Sequence, residues 1–387
     1  MVNSIVEYMF EQQIQKDIFF VFYGGVAVLS MIACCYLLLR RANAIAPDIT
    51  PPVRLRRCAA AFLAALALCH LWYLPTYFIS SGDESKLIYL VCGLLDSLTV
   101  IPLAIGVLLA MLQDRRRPLW PASVIAAPLV VGVVWCIAAH SDALAPLFYA
   151  YFIAMFLGLV VYMIREVRQY GSWLRDNYAD LEHKEVWQSF VVLTIILLTF
   201  GIYAYEIDGL AYEYMMEGID VVLICYLLWR VETLSDLSVT ANDAEEETVV
   251  TDSVEDNDLP SSVSTNIASL LKQHCEEAQL YLQYDITLSQ LAKQIGTNRA
   301  YLSKHFALQG TTYNAYINGL RIRHFTNLYH KAVAAHQLVT AQQLAYQSGF
   351  RSYNTFSVAF KKKMGMTTTE WMRNATEQQR NPQQTVP

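Results

Sequence analysis

Residues 287–296 read TLSQLAKQIG, and residues 340–349 read TAQQLAYQSG. Each stretch begins with Thr, has Gln three residues later, continues directly with Leu-Ala and ends at Gly. Thr followed by Gln at this spacing is the capping-box pattern of a helix N-terminus. Gly readily takes the left-handed backbone at which many helices end. The sequence therefore predicts two short helices that start and end in the same way.

A second amphipathic helix follows each of these short helices. Leu302 and Phe306 are spaced to share its inner face in the first copy, and Phe356 and Phe360 in the second. A helix, a tight turn with Gly and a second helix form the helix-turn-helix plan, whose second helix enters the major groove of DNA. A helical stretch joins the two copies, and its apolar side is formed by Tyr313, Ile317, Leu320, Phe325 and Leu328. Two copies are a more specific signal than one.

Around these copies the sequence resembles the DNA-binding domain of the AraC family of bacterial transcription regulators, over about residues 265–374. The resemblance is carried by Leu291-Ala292, Tyr301-Leu302-Ser303-Lys304-His305-Phe306, Arg321-Ile322, Leu344-Ala345-Tyr346-Gln347-Ser348-Gly349-Phe350 and Phe356-Ser357-Val358-Ala359-Phe360-Lys361. It implies two helix-turn-helix units on a shared linker helix, both reading one face of DNA, with Arg321 as an internal salt-bridge residue. Thr368 departs from the family, which usually has Pro there, so the resemblance does not predict how the last helix is capped.

The helix faces opposite the buried residues predict which side chains meet DNA. The predicted base-reading residues are Asn298, Arg299, Ser303 and Lys304 in the first copy, and Arg351, Ser352, Asn354, Thr355 and Ser357 in the second. The predicted phosphate contacts are Lys361, Lys362 and Lys363. Arg and Lys suit guanine and Asn suits adenine, while Ser and Thr suit either a base or a phosphate. We expect about half of the base-reading set to touch phosphate or solvent instead.

Charge divides the 387-residue chain into three unlike parts. Residues 1–230 hold 15 Lys and Arg and 19 Asp and Glu, residues 231–264 hold 10 acids and no base, and residues 265–387 hold 13 bases and 5 acids. The net charge of +8 on the last part favours binding to nucleic-acid phosphates. Over the whole chain 55% of residues are hydrophobic and only 16% are charged, which argues against a uniformly water-soluble protein.

The hydrophobic residues are concentrated in long runs within the first 230 residues. These runs cover roughly residues 18–39, 58–80, 87–112, 119–139, 144–164, 186–207 and 211–229. A helix needs about 20 apolar residues to cross a bilayer core. The sequence therefore predicts an all-α protein, with a polytopic seven-helix membrane bundle at 18–230 and an AraC-type domain with two helix-turn-helix units at 265–374.

Basic residues fall in alternate connections between the runs, after the first, third and fifth. Because Lys and Arg accumulate on the cytoplasmic side, we expect residues 1–17 to lie outside and the DNA-binding domain to lie in the cytoplasm. The predicted location is the bacterial cytoplasmic (inner) membrane. No basic stretch precedes the first run, so we expect it to be retained rather than cleaved as a signal peptide.

The connection between the apolar and basic parts is acidic, polar and without a hydrophobic period. We expect residues 231–264 to be a disordered linker. Two interpretations stay open: a solvated spacer, or a mimic of DNA that competes for the basic domain. The last residues, 375–387, are expected to form a disordered tail.

Several polar residues lie within or beside the apolar runs, and they are the candidates for sensing a ligand: His70, Tyr73, Asp96, Tyr203, Glu213, Glu217 and Asp220. Charged groups avoid lipid and tend to face a bundle interior or a wet cavity. A pocket of acids, tyrosines and one His suits a small polar or cationic ligand. The alternative is that the tyrosines are interface aromatics and the acids meet water at a helix end.

These patterns lead to two competing functions. The first is a membrane-bound one-component regulator, in which the bundle senses a signal and the tail binds double-stranded promoter DNA. The second is a polytopic transporter or enzyme with a regulatory helix-turn-helix tail. The eight cysteines have no metal-binding spacing, and no familiar catalytic motif occurs. We therefore expect no enzyme activity, metal or cofactor, and as partners DNA, the bilayer, an unknown signal and a second copy of the chain.

Overall fold

The computed structural model describes residues 2–40, 43–47, 49–78, 88, 91–92, 94–96, 98–118, 120–139, 145–192, 195, 210–237 and 261–380. Within these residues the protein is all-α, as predicted, and its extended structure is confined to one antiparallel bridge between Tyr178 and Thr287. The chain divides into two compact units. The first is Met1–Tyr170 with Val186–Val239, and the second is Gly171–Glu185 with Thr240–Pro387.

Before residue 240 the described chain includes six α-helices with defined bounds: α1 (Val2–Leu39), α2 (Val53–Tyr73), α3 (Val100–Met111), α4 (Trp120–Ala139), α5 (Ala145–Asn177) and α6 (Leu210–Thr233). A 3-10 turn, Leu74–Tyr77, follows α2. Ala59 and Leu63 of α2 are fully buried. The buried hydroxyl of Ser30 on α1 donates to the carbonyl oxygen of Leu63 at 2.8 Å. A hydroxyl in apolar surroundings needs such a partner, so this hydrogen bond fixes how α1 packs on α2.

Three stretches in the described part of the chain are apolar and long enough to cross a bilayer: Gln13–Leu39, Val53–Tyr77 and Leu94–Met111. Large apolar side chains stay exposed on the first of them, including Val21 at 78% and Leu39 at 81%. Surfaces of this kind mark contact with lipid or another protein, and they support membrane association. The number of seven spans stays a prediction, because much of the run at 186–207 lies outside the described residues.

The predicted start of the disordered linker at 231–264 is wrong. Leu234 is fully buried in the first unit. The carboxylate of Glu232 accepts hydrogen bonds from the amides of Ala44 at 3.0 Å and Ile45 at 2.7 Å. Apolar burial and a satisfied carboxylate hold this stretch in place, where the sequence showed only an acidic segment. From Ser238 to Pro260 the linker lies outside the described residues.

The second unit contains α7 (Ser261–Leu270), α8 (Leu288–Ile295), α9 (Arg299–Leu308), α10 (Tyr313–Ala334), α11 (Ala341–Gln347), α12 (Tyr353–Met364) and α13 (Thr368–Arg380). Between α7 and α8 lie a π-helical stretch, Leu271–Glu277, and a 3-10 turn, Leu280–Leu282. The first helix-turn-helix unit is therefore α8 with α9, and the second helix-turn-helix unit is α11 with α12. The helix that joins them is α10.

Two hydrophobic cores form around the two copies. The first includes Leu291, Leu302, Phe306, Tyr313 and Ile317, and the second includes Phe325, Leu344, Phe350, Phe356 and Phe360. The predicted inner faces of α9 and α12 are confirmed by this burial. The two cores share α10, whose N-terminal half packs in the first and whose C-terminal half packs in the second. This arrangement agrees with the shared linker helix that the resemblance implies.

Both ends of the basic domain extend beyond their predicted limits of 265 and 374. Helix α7 begins at Ser261, and α13 continues to Arg380. Ala375 is buried, so the predicted disordered tail is wrong up to that helix end. The departure from the family at the start of α13 has a local solution, because the hydroxyl of Thr367 accepts from the amide of Glu370 at 3.3 Å and so caps the helix.

Candidate nucleic-acid interface

The first helix-turn-helix unit is built by local capping, as its sequence predicts. The hydroxyl of Thr287 accepts from the amide of Gln290 at 3.2 Å, and the side chain of Gln290 accepts from the amide of Thr287 at 3.0 Å. Gly296 ends α8 with φ of +75°. Asn298 then caps α9, because its side-chain oxygen accepts from the amide of Tyr301 at 2.8 Å. These contacts set the turn that presents α9.

The second helix-turn-helix unit has the same Thr cap and closing glycine as the first, and it contains one tighter contact. The hydroxyl of Thr340 accepts from the amide of Gln343 at 3.2 Å. Gly349 follows α11 with φ of +86°, and a Cβ at this position would lie 2.7 Å from the Cα of Leu282. Only glycine fits both the left-handed backbone and this close approach. Ser352 caps α12 by accepting from the amide of Thr355 at 3.2 Å.

The predicted DNA-facing side chains differ in exposure and in what they contact. Exposed residues are Ser303, Arg351, Asn354, Lys361, Lys362 and Lys363. Half-buried residues are Asn298, Arg299, Lys304, Ser352, Thr355 and Ser357. The acceptor oxygens of Asn298 and Ser352 already cap helices, so capping is their observed role. Base reading by the remaining predicted residues stays a prediction.

Two residues of the predicted DNA-reading face contact a segment from elsewhere in the chain. The segment is Gly171–Glu185, which belongs to the second unit and is called the docking segment below. Arg299 of α9 donates from Nε and Nη2 to the side-chain oxygen of Asn177, at 3.0 and 2.7 Å. Thr355 of α12 donates to the carboxylate of Glu182 at 3.0 Å. One residue from each recognition helix is thereby held by the docking segment.

The docking segment packs into the first core of the domain. Ala179 is fully buried there. The side-chain amide of Asn314 on α10 donates to the carbonyl oxygens of Tyr178 at 3.2 Å and Ala179 at 2.7 Å. Tyr178 also forms the antiparallel bridge with Thr287, the cap of α8. Nothing in the sequence signals this contact, because residues 177–185 have the composition of an ordinary polar loop.

Charged groups surround the same contact. Lys184 lies 3.6 Å from a carboxylate oxygen of Asp285, whose other oxygen accepts from Arg351 at 3.2 Å. Arg351, a predicted base-reading residue, therefore has an acidic partner inside the domain. Asp180 is 2% exposed, and burial raises the pKa of its carboxyl above the ordinary range. One of its carboxylate oxygens has no hydrogen-bond partner among the described residues.

Arg321 is fully buried, as an internal residue should be, but the predicted salt bridge is wrong. Its guanidinium donates to the carbonyl oxygens of Tyr281 at 2.7 Å, Gln283 at 2.6 Å and Tyr284 at 3.1 Å. Burial lowers its pKa to about 10, which leaves the group cationic at neutral pH. From the interior of the domain, Arg321 thereby holds the turn that precedes α8. Main-chain carbonyls take the place of a carboxylate here, and a sequence does not reveal such partners.

The first unit brings together three of the predicted sensing residues. His70 of α2 and Glu217 and Asp220 of α6 each place one ligand atom within 4.8 Å of the other two. The Nε2 atom of His70 lies 3.1 Å from Glu217 Oε2. His70 and Glu217 are buried, at 4% and 6% exposure. The spacing of Glu217 and Asp220 shows a shared helix face, but His70 lies 147 residues before Glu217.

Another pair from the same set forms a separate contact. The hydroxyl of Tyr73 donates to the carboxylate of Asp96 at 2.8 Å, and the indole nitrogen of Trp72 donates to the same carboxylate at 3.2 Å. Glu213 is half-buried on α6 and is not among the three clustered residues. Tyr203 lies outside the described residues. A role of any of these residues in ligand sensing stays a prediction.

Comparison with known proteins identifies the basic domain. Residues 291–374 match the family of helix-turn-helix domains. Neither a curated protein nor a solved structure matches the chain. The matched range starts in α8 and ends in α13, so it covers most of both helix-turn-helix units and the linker helix between them. Together with the capped helices and their two cores, this match shows that residues 291–374 form a DNA-binding regulatory domain of the AraC helix-turn-helix type.

Proposed function

We propose that this protein is a membrane-bound, one-component transcription regulator, in which the first unit senses a signal and the second binds promoter DNA. The observation that carries the proposal is the pair of capped helix-turn-helix units on one linker helix, joined in the same chain to apolar helices of membrane-spanning length. The net charge of +8 on residues 265–387 adds the phosphate attraction that duplex binding needs.

Two recognition helices on one face of DNA would sit about 34–36 Å apart, one helical turn. A second copy of the chain in the same membrane would add further half-sites at high effective concentration. The orientation we propose places residues 1–17 outside and the DNA-binding domain in the cytoplasm of the inner membrane. The basic connections that follow the first, third and fifth predicted spans support it.

Genome-wide mapping of DNA bound by the tagged full-length protein tests the DNA-binding half of the proposal. We expect a small set of promoter regions that share a two-part sequence motif. A matched strain carrying Arg299→Ala and Asn354→Ala should lose the motif while keeping the same amount of protein in the membrane fraction. Enrichment no stronger than in this strain would contradict the proposal.

The membrane half has its own test. A fluorescent protein fused after Pro387 should fluoresce from the cytoplasmic side, and the fusion should stay with membranes after an alkaline carbonate wash. A fusion that the wash releases into the soluble fraction would contradict membrane insertion and would leave the DNA-binding result unaffected.

A further inference from the structure

We infer that His70, Glu217 and Asp220 form a binding site for a divalent first-row transition-metal cation in the first unit. The three residues offer an imidazole nitrogen and two carboxylate oxygens, a ligand set that Zn²⁺, Mn²⁺ and Fe²⁺ accept. Their ligand atoms lie within 4.8 Å of one another. Two ligands at right angles on a metal with bonds of about 2.1 Å are about 3 Å apart, close to the 3.1 Å between His70 Nε2 and Glu217 Oε2.

The hydrogen bonding of His70 points to a cation at this site. Its Nδ1 atom lies 2.8 Å from the carbonyl oxygen of Leu66. A carbonyl can only accept, so Nδ1 carries a proton, and in the neutral ring the lone pair of Nε2 is turned toward Glu217. Metal-binding histidines are commonly oriented in this way by a carbonyl behind the ring. A lone pair and a carboxylate oxygen repel each other unless a proton or a metal cation lies between them.

Charge balance favours a divalent metal over a proton. Glu217 and Asp220 lie three residues apart on α6, so both carboxylates are directed to the same side of the helix. A proton on His70 would supply one positive charge for two carboxylates that are largely withdrawn from water. A divalent cation neutralises both, and buried charges are usually paired or coordinate a metal. This site binds metal whether or not the protein regulates transcription.

Metal titration of the purified full-length protein in lipid nanodiscs tests the site. After treatment with a chelator and dialysis, Co²⁺ is added as the probe and its visible absorption is recorded. We expect about one Co²⁺ per chain, displaced by Zn²⁺, and at least tenfold weaker binding after Glu217→Gln or Asp220→Asn. The matched control is Asp17→Asn, an exposed acid of α1, which should bind Co²⁺ like the unmodified protein.

Absence of Co²⁺ binding by the unmodified protein, or equal binding by the Glu217→Gln variant, would overturn the metal site. Elemental analysis of the same samples gives the stoichiometry independently of the absorption signal. Because no DNA is present, failure here is distinct from failure of the proposed DNA-binding function.

A different observation carries a second proposal. We propose that the DNA-reading face, formed by the predicted base-reading residues of α9 and α12, is a docking surface for the chain's own Gly171–Glu185. The docking segment and DNA then compete for this face. The docking segment holds Arg299 and Thr355, one residue from each recognition helix. It contains four acids and two bases. Its negative net charge faces a domain of net positive charge, which is the complementarity that DNA also offers.

The docked arrangement is well packed but contains a weak point that favours release. Ala179 is fully buried in the first core, and Asn318 adds a long hydrogen bond at 3.3 Å to its carbonyl oxygen. In contrast, one carboxylate oxygen of Asp180 is buried without a hydrogen-bond partner among the described residues. A buried carboxylate that is only partly satisfied costs stability. The segment can therefore exchange with a ligand that offers better contacts to the same face.

The test compares DNA binding by the full-length protein in nanodiscs with that of a variant carrying Asn177→Ala and Glu182→Gln. A labelled mixed-sequence duplex serves as the probe. We expect about tenfold tighter binding by the variant, because apparent affinity falls with the fraction of molecules whose face is covered. The matched control is Glu277→Gln, which removes one exposed negative charge from the same unit and should change binding by less than twofold.

Hydrogen exchange on the unmodified full-length protein gives a second readout that needs no substitution. Adding the duplex should raise amide exchange in the docking segment and lower it in α9 and α12. Equal DNA affinity of variant and unmodified protein, or a docking segment still protected while DNA covers α9, would overturn the proposal. It rests on the proposed function, and absence of DNA binding by every variant would contradict that function instead.

Discussion

Gly349 shows how much of this fold depends on single residues that a local pattern can reveal. Its position in the repeated motif predicts a left-handed residue after the helix, and φ of +86° confirms it. The close approach to Leu282 is not visible in the sequence, because it joins residues that are distant along the chain. The capping box of Thr287 was predictable for the same local reason, whereas the carbonyl partners of Arg321 were not.

We expect Gly349→Ala to destabilise the basic domain by about 3 kcal/mol. Roughly 1 kcal/mol comes from left-handed backbone at a residue with a Cβ, and about 2 kcal/mol comes from overlap with Leu282. Gly296→Ala is the matched control, because its φ is +75° but nothing lies within 4 Å of the added Cβ, so only the first cost applies. Hydrogen exchange measures each variant in its own helices, α11 and α12 for Gly349→Ala and α8 and α9 for Gly296→Ala. Equal losses of protection would contradict the role of the close approach.

Asp180 leads to a pH prediction with a definite sign. Burial raises the pKa of its carboxyl when the segment is docked, so the docked state holds the proton more tightly than the released state. The contribution to docking is complete below the ordinary pKa of about 3.9 and is lost as pH rises through the raised value. Nearby groups modify the pKa shift: the hydrogen bond from the backbone amide of Glu182 and the charge of Lys184 oppose it, while the charges of Asp285 and Glu182 add to it.

Docking should therefore weaken as pH rises from acid toward neutral. Protection of residues 171–185 against hydrogen exchange, corrected for the intrinsic rate, measures this weakening. The substitution Asp180→Asn removes the titrating group, so the variant should keep acid-like protection at every pH. Identical pH profiles for the variant and the unmodified protein would show that Asp180 is not the group responsible.

At the scale of elements, α8 and α11 were predictable because each has a Thr cap and a following glycine in the sequence. The positions of α9 and α12 were predictable from their apolar inner faces, whereas their caps, Asn298 and Ser352, were predicted as base-reading residues instead. The limits of the linker and of α13 were not predictable, because burial of Leu234 and Ala375 depends on surfaces formed by other parts of each unit. The docking segment is the clearest example of this limit. Its contacts join Asn177 to Arg299, which are 122 residues apart, through ordinary polar side chains.

Recognition helices and the lysine run of α12 should affect DNA binding in different ways. Arg299→Ala should alter the bound sequence and cost about 1–3 kcal/mol at one base pair, because side chains in the groove discriminate bases. Lys362→Ala should weaken binding to all sequences alike and reduce the salt slope by about one, as expected for a phosphate contact.

Because Arg299 also binds the docking segment, both substitutions belong in the released Asn177→Ala, Glu182→Gln background. Selection of bound sequences from a random duplex pool, repeated at several salt concentrations, measures both effects. Matching sequence profiles for the two variants would show that the predicted orientation of α9 is wrong.

The charge pattern of the whole chain anticipated its division, since the apolar and basic parts fall mainly in different units. The exception is residues 171–185, which lie within the N-terminal part of the sequence yet belong to the unit of the basic domain. They include the C-terminal end of α5, the helix that contains the predicted fifth span. A change in the first unit can therefore reach the DNA-reading face through covalent continuity, without passing through the linker.

This continuity predicts that the sensing residues and the docking segment act in series. If a signal at Glu217 and Asp220 changes how often the segment is released, Glu217→Gln with Asp220→Asn should change reporter output from a target promoter. A coupling of 1–3 kcal/mol, typical of allosteric proteins, corresponds to about 5- to 150-fold.

In the released Asn177→Ala, Glu182→Gln background the same pair of substitutions should have little further effect, since the step that they control is already bypassed. The measurement is a double-mutant cycle of four strains: the unmodified protein, each pair of substitutions alone, and both pairs together. Reporter output and membrane levels are recorded for each strain, with Asp17→Asn as the control. Independent, additive effects in the two backgrounds would show that the signal reaches the DNA by another route.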